Sequence, residues 1–216
     1  MRKEIIDTIM KNKIIVIVRG VEHDKLLPLA EALYAGGVRA LEITYTHEDR
    51  RLDEKTADGI RSLSEHFQNK MLIGAGTVTE VSQVELTKKA GGKFIISPDT
   101  NEAIIRKTSE LDMVSIPGAL TPTEIETAYK SGADFVKLFP ITVLGTDYVK
   151  AIKAPLLGIR LLGVGGINEN NMSEYSKAGI CGFGIGSNLV NKQFISEGNF
   201  KAITDLTKKF ISNLGE

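Results

Sequence analysis

Along the chain, short unbroken runs of apolar residues alternate with longer stretches whose apolar positions recur every three or four residues. Unbroken β-branched runs predict strands buried on both faces, and the wider spacing predicts helices packed by one side. The strand-like runs are residues 14–18, 39–44, 71–75, 94–96, 113–116, 135–140, 159–164 and 181–185. Between them lie helical patterns at 24–35, 53–66, from Thr79 to the glycines at 91–92, through Glu110, from Thr121, at 146–153, at 168–178 and from about 199. Residues 1–12 predict a short amphipathic helix with Ile5, Ile6 and Ile9 on one side.

Punctuation supports this order. Ala35-Gly36-Gly37, Ala90-Gly91-Gly92, Ser131-Gly132-Ala133 and Ala178-Gly179-Ile180 each place glycine where a helix should stop before a strand. Thr121-Pro122-Thr123-Glu124 has the residues of an N-cap, a first-turn proline and a capping box. Strand followed by helix, repeated about eight times, means parallel strands with crossover helices. The expectation is one α/β domain over residues 1–216, a (β/α)8 TIM barrel preceded by a short N-terminal helix. An open doubly wound sheet is the alternative. Its dinucleotide-binding form is disfavoured because no Gly-x-Gly-x-x-Gly follows the first strand.

Composition narrows the function classes. Lys+Arg and Asp+Glu both number 27, so the formal net charge is zero. That balance gives no support to nucleic-acid or membrane-surface binding. The single cysteine, Cys181, excludes an intramolecular disulfide framework and fits a reducing, cytoplasmic setting. The charges within residues 1–12 are unlike a signal peptide, and no apolar run is long enough to span a membrane. The three histidines do not cluster with cysteine or spaced carboxylates, so no metal site is expected. His23 and His66 read as helix-surface residues. His47, in the charged stretch 45–53 expected at the barrel mouth, is a weaker candidate for a substrate contact.

In such a barrel the active site lies at the C-terminal ends of the strands. Lys137 interrupts the apolar run Phe135-Val136-Lys137-Leu138-Phe139-Pro140, on the face opposite Val136 and Leu138. Glu42 interrupts Ala40-Leu41-Glu42-Ile43-Thr44 in the same way. A buried lysine with a lowered pKa is a Schiff-base nucleophile, and an opposed buried carboxylate suits acid–base work. The plainer alternatives are a lysine that reaches water at the strand end and a structural ion pair. Arg19, at the end of the first strand, could bind a carboxylate or phosphate, or pair with Glu42. Gly165-Gly166 and Gly186-Ser187 end the last two strands, where barrels often bind phosphate. Cys181 reads as core.

Taken in order, Leu41-Glu42-Ile43-Thr44, Gly74-Ala75-Gly76-Thr77-Val78, Ile96-Ser97-Pro98, Pro117-Gly118, Thr121-Pro122-Thr123-Glu124, Lys137-Leu138-Phe139-Pro140, Gly165-Gly166-Ile167 and Gly186-Ser187 resemble the 2-keto-3-deoxy-6-phosphogluconate (KDPG) and 4-hydroxy-2-oxoglutarate (KHG) aldolase family. The resemblance implies a class I aldolase on a (β/α)8 barrel, a homotrimer that uses neither metal nor cofactor and acts on a phosphorylated keto acid. It implies that Lys137 is the Schiff-base lysine and Glu42 the general acid–base. Thr77 would meet the pyruvate carboxylate, and Gly165, Gly166 and Ser187 the phosphate, with Arg19 contributing. Thr46, Pro98, Phe139 and Gly186 complete the expected substrate contacts. Two positions depart from many members. Val164 stands where they carry a threonine, and Thr46 stands where some carry arginine.

Overall fold

The computed structural model describes residues 1–46 and 49–213. His47, the weaker mouth candidate, lies outside the described residues. The elements in order are α1 (Arg2–Asn12), β1 (Ile14–Val18), α2 (His23–Ala35), β2 (Ala40–Thr44), α3 (Asp53–Phe67), β3 (Leu72–Gly76), α4 (Val81–Lys89), β4 (Phe94–Ile96), α5 (Glu102–Glu110), β5 (Val114–Ile116), β6 (Gly118–Ala119), α6 (Pro122–Lys130), β7 (Val136–Leu138), α7 (Gly145–Lys153), β8 (Leu161–Val164), α8 (Met172–Lys177), β9 (Gly182–Ile185), α9 (Lys192–Ser196) and α10 (Phe200–Ser212).

The strand order is β5-β4-β3-β2-β1-β9-β8-β7-β6, and every pairing is parallel. Consecutive strands are neighbours except β5 and β6, and the first pairs with the last through Ile14↔Phe183, Ile15↔Gly184 and Val16↔Ile185. A doubly wound sheet would reverse its order at a switch point, and this one does not. The two ends of the list, β5 and β6, are joined through Pro117 alone. The result is a nearly closed barrel surrounded by helices.

Alternation decides what faces inward. Ile14, Val16, Val18, Leu41, Ile43, Val136 and Leu138 belong to the larger apolar layer between strands and helices. Ile15, Ala40, Phe94, Val114, Phe135 and Leu162 fill the inside. Ile5 and Ile9 of α1 pack onto that inner cluster, and Ile6 lies partly buried beside it. Arg2 ties this helix down by pairing with Asp134 at 3.0 Å. Asp134 also accepts the N–H of Ser115, so α1 covers the end where the strands begin.

Local signals explain the helix limits. The expected capping box forms: Thr121 accepts the Glu124 N–H, and Glu124 accepts the Thr121 N–H. Asn101 and Asn199 cap α5 and α10 with their side chains. Gly37, Gly91, Gly132 and Gly179, which follow helices, all have positive φ.

Several expected boundaries shift. Helix α4 begins at Val81, not Thr79, because the Gln83 side chain takes the Thr79 N–H at 2.9 Å. The expected helix over 168–178 shrinks to Met172–Lys177 because Asn171 Oδ1 accepts the Asn168 N–H and holds the chain in a turn. The short strand β6 and helix α9 add to the expected set. Tyr45, expected in a charged mouth loop, is 1% exposed and bonds to Thr87 behind the barrel wall. Among the described residues no helix is long and apolar enough to cross a membrane.

Candidate active site

Two inward positions beyond the apolar plug carry charge. Glu42 lies two residues past Ala40 on β2, paired with Ile17 and Gly74 of the neighbouring strands. Lys137 lies two residues past Phe135 on β7, between Gly118 and Leu162. Glu42 is 3% exposed and Lys137 9%. The Lys137 side chain is therefore almost wholly enclosed.

Burial governs both groups. It pushes the Glu42 carboxyl up to about 7, against the attraction of Lys137 and Arg19. Burial holds the Lys137 amine below the ordinary lysine range, opposed by Glu42 and Asp99 and assisted by Arg19. Glu42 Oε2 is buried and takes no hydrogen-bond partner. An orphaned carboxylate oxygen is costly in the interior, and such an unpartnered buried group marks a place where function can outweigh stability.

The seat of Glu42 depends on Gly76, which sequence reading did not single out. A Cβ on Gly76 would fall 2.3 Å from Glu42 Oε1 and 2.6 Å from its carboxyl carbon. Only glycine lets the carboxylate lie against β3. Gly76→Ala is expected to lower kcat by roughly a hundredfold, the scale of a misplaced catalytic group, with the fold retained. Steady-state kinetics beside a circular dichroism spectrum tests this, and a rate near that of the parent would refute it.

The other expected residues, Thr46 excepted, fall into three groups around the same end. Arg19 is exposed and donates to Thr77 Oγ1 at 2.9 Å rather than closing on Glu42. Thr77 has φ +55, a conformation that strains a β-branched residue and typically persists at functional sites. Because its oxygen accepts from Arg19, its own hydroxyl proton is left to donate.

Phe139 is partly exposed, with its ring centroid 5.3 Å from Lys137 Nζ. It also touches Gly165, where a Cβ would lie 3.2 Å from the ring. Phe139 thus links the lysine to the glycine turn after β8. Gly165 and Gly166 have φ +96 and +77. Asn188 Nδ2 donates to Ile167 O at 2.7 Å, which draws the Gly186-Ser187 turn beside them.

Pro98 is exposed at the end of β4, and its carbonyl abuts Gly118. Thr46 is set apart. It lines a cavity of about 270 Å³ with Val18, Ile43, Lys55 and Thr56, between β1, β2 and the helices outside them. Val164 is buried against Gly184. Burial raises the Cys181 thiol to about 11, which keeps it protonated and unreactive.

Comparison with known proteins identifies the family. The model of the family described as KDPG and KHG aldolase matches residues 5–206. A probable 2-dehydro-3-deoxy-6-phosphogalactonate aldolase of Rhizobium meliloti is 36% identical over 181 residues, 83% of this chain and 82% of the relative. A 2-dehydro-3-deoxy-phosphogluconate aldolase of Treponema pallidum is 32% identical over 215 residues, 98% of each chain. The solved KDPG aldolase of Legionella pneumophila, with pyruvate captured as a covalent carbinolamine intermediate, superposes with a TM-score of 0.81. It is 30% identical, covering 91% of this chain and 93% of that one. With its strands in barrel order and a lysine and a glutamate buried at one end, the chain belongs to the KDPG and KHG aldolase family and is an aldolase, a lyase.

Proposed function

We propose that this aldolase works through a Schiff base on Lys137 and cleaves 2-keto-3-deoxy-6-phosphogluconate to pyruvate and glyceraldehyde 3-phosphate. The observation that carries the reading is the buried pair Lys137 and Glu42, with the amine pushed down and the carboxyl pushed up to about 7. An amine below its ordinary range has more of the neutral form that attacks a ketone. A carboxyl near neutrality can both take and return a proton.

In this scheme neutral Lys137 Nζ attacks the C2 carbonyl carbon to give a carbinolamine, which takes up a proton from solvent and loses water to leave a protonated imine. Glu42 takes the proton of the C4 hydroxyl while the C3–C4 bond breaks. The bond's electrons pass into the imine, glyceraldehyde 3-phosphate departs, and an enamine remains. Glu42 then gives its proton to C3. Water hydrolyses the resulting protonated imine, releasing pyruvate, neutral Lys137 and the proton taken up earlier. Arg19 and Thr77 hold the carboxylate of the substrate, and Pro98 and Phe139 wall the reacting carbons. Gly165, Gly166, Gly186 and Ser187 take the phosphate, so that remote binding positions the bond to be broken.

The phosphogalactonate epimer is the second substrate reading, favoured by the Rhizobium meliloti relative. Comparing kcat/KM for both epimers and for 4-hydroxy-2-oxoglutarate ranks them. Borohydride reduction in the presence of pyruvate, followed by peptide mass spectrometry, tests the chemistry. The expected result is a reduced pyruvyl adduct on Lys137. A folded protein that traps nothing at saturating pyruvate discards the Schiff base.

We also infer that β5 and β6 are two halves of one stave broken at Pro117. On that count the barrel has eight staves, the (β/α)8 form, in one domain capped by α1. A cytoplasmic homotrimer fits this reading, and the exposed Val143 and Leu144 offer apolar surface for self-association.

A further inference from the structure

Three consecutive carbonyls in the turn after β8 are each held by a side chain from a different place. Thr142 Oγ1, in the loop after β7, donates to Gly165 O at 3.0 Å. Asn171 Nδ2, at the start of α8, donates to Gly166 O at 3.0 Å. Asn188 Nδ2, in the loop after β9, donates to Ile167 O at 2.7 Å.

A trans peptide is planar, with its C=O and its N–H pointing opposite ways. Holding the Gly165 carbonyl therefore aims the Gly166 N–H away from Thr142. Holding the Gly166 carbonyl likewise aims the Ile167 N–H away from Asn171. Neither amide takes a partner among the described residues, whereas the next one, Asn168 N–H, donates to Asn171 Oδ1 at 2.9 Å. The turn can take this form only with glycine at both positions. Gly165 and Gly166 sit at φ +96 and +77, and a Cβ on Gly166 would lie 2.2 Å from Thr142 Oγ1. Val164, just before the turn, has no hydroxyl to offer a ligand, which leaves recognition here to the backbone.

We propose that Thr142, Asn171 and Asn188 are positioning residues for the substrate phosphate: Thr142 and Asn171 fix the free Gly166 and Ile167 amides toward it, Asn188 aims the Asn168 N–H at Asn171 Oδ1 and so braces Asn171, and together they set the preference for a phosphorylated aldehyde. This rests on the reading of the Gly165-Gly166 turn as the phosphate site. The three side chains do not touch the ligand. Thr142 and Asn171 prevent the two peptides from turning over, a rotation that two glycines would otherwise permit, and Asn188 keeps Asn171 in place through the next peptide.

The test is condensation of pyruvate with glyceraldehyde 3-phosphate and, separately, with glyceraldehyde, in the parent and in Thr142→Val, Thr142→Ser and Asn188→Ala. The measured quantity is the ratio of the two kcat/KM values. Thr142→Val and Asn188→Ala are each expected to lower that ratio about fivefold, the scale of one lost hydrogen bond. Thr142→Ser keeps the donor and the parent ratio. If Thr142→Val and Asn188→Ala both keep the parent ratio, whether their rates are intact or depressed alike with both aldehydes, the three side chains only stabilise the fold and the proposal is overturned. A parent that shows no preference for the phosphorylated aldehyde overturns the underlying reading of the turn instead.

Discussion

Lys137→Met is expected to lower turnover by roughly five orders of magnitude or more, the scale lost when a covalent nucleophile is removed. Methionine keeps the length and volume of the side chain, so the packing against Phe139 and the strand ladder survive. What disappears is the nitrogen that forms the imine. Pyruvate then has nothing to join, and borohydride leaves the protein unmodified. The same change acts on Glu42. Lys137 is the largest influence pulling the Glu42 carboxyl down, so its removal moves that group further above about 7. The variant should therefore hold Glu42 protonated at neutral pH, visible as a carboxylic-acid band by infrared difference against a Glu42→Gln variant. A Lys137→Met protein retaining a hundredth of the parent rate would point to another nucleophile and end the Schiff-base assignment.

Much of this arrangement was legible in the sequence because it follows from strand alternation. Leu41 and Ile43 face the helices, so Glu42 had to face inward. Val136 and Leu138 do the same for Lys137. Helix ends were legible where a residue type has one conformational use: Gly37, Gly91, Gly132 and Gly179 take the positive φ that glycine permits. The features that sequence reading missed depend on contacts between segments distant in the chain. Nothing in Gly74-Ala75-Gly76 announces that Gly76 makes room for a carboxylate on another strand. Asn171 and Asn188 look like turn residues, and their capture of the carbonyls of Gly166 and Ile167 appears only when three loops converge. Tyr45 sits beside charged residues, yet its hydroxyl finds Thr87 and its ring is buried. In each case the local pattern was compatible with several tertiary partners, and the barrel chose one.

Glu42→Gln separates catalysis from stability, because the two respond in opposite directions. Turnover should fall by roughly two orders of magnitude or more, since glutamine can neither take the C4 hydroxyl proton nor return one to C3. The parent needs the ionised carboxylate for cleavage, so its kcat should drop as pH falls through about 7, and the variant should lose that limb of the profile. Stability follows from the same shift. The folded-state value lies above the ordinary 4.5, so between those values the folded protein binds a proton that the unfolded chain does not. Stability of the parent therefore declines as pH rises through that window, and above it the barrel carries a buried charge with one oxygen unpartnered. Glutamine has no such titration. The stability of Glu42→Gln relative to the parent should thus rise between about pH 5 and about pH 8, by on the order of 2 kcal/mol. Denaturant melts at the two pH values measure it. A difference that stays flat across the window would mean that Glu42 titrates near its ordinary value, and with it would go the argument that this carboxyl is poised to serve both as base and as acid.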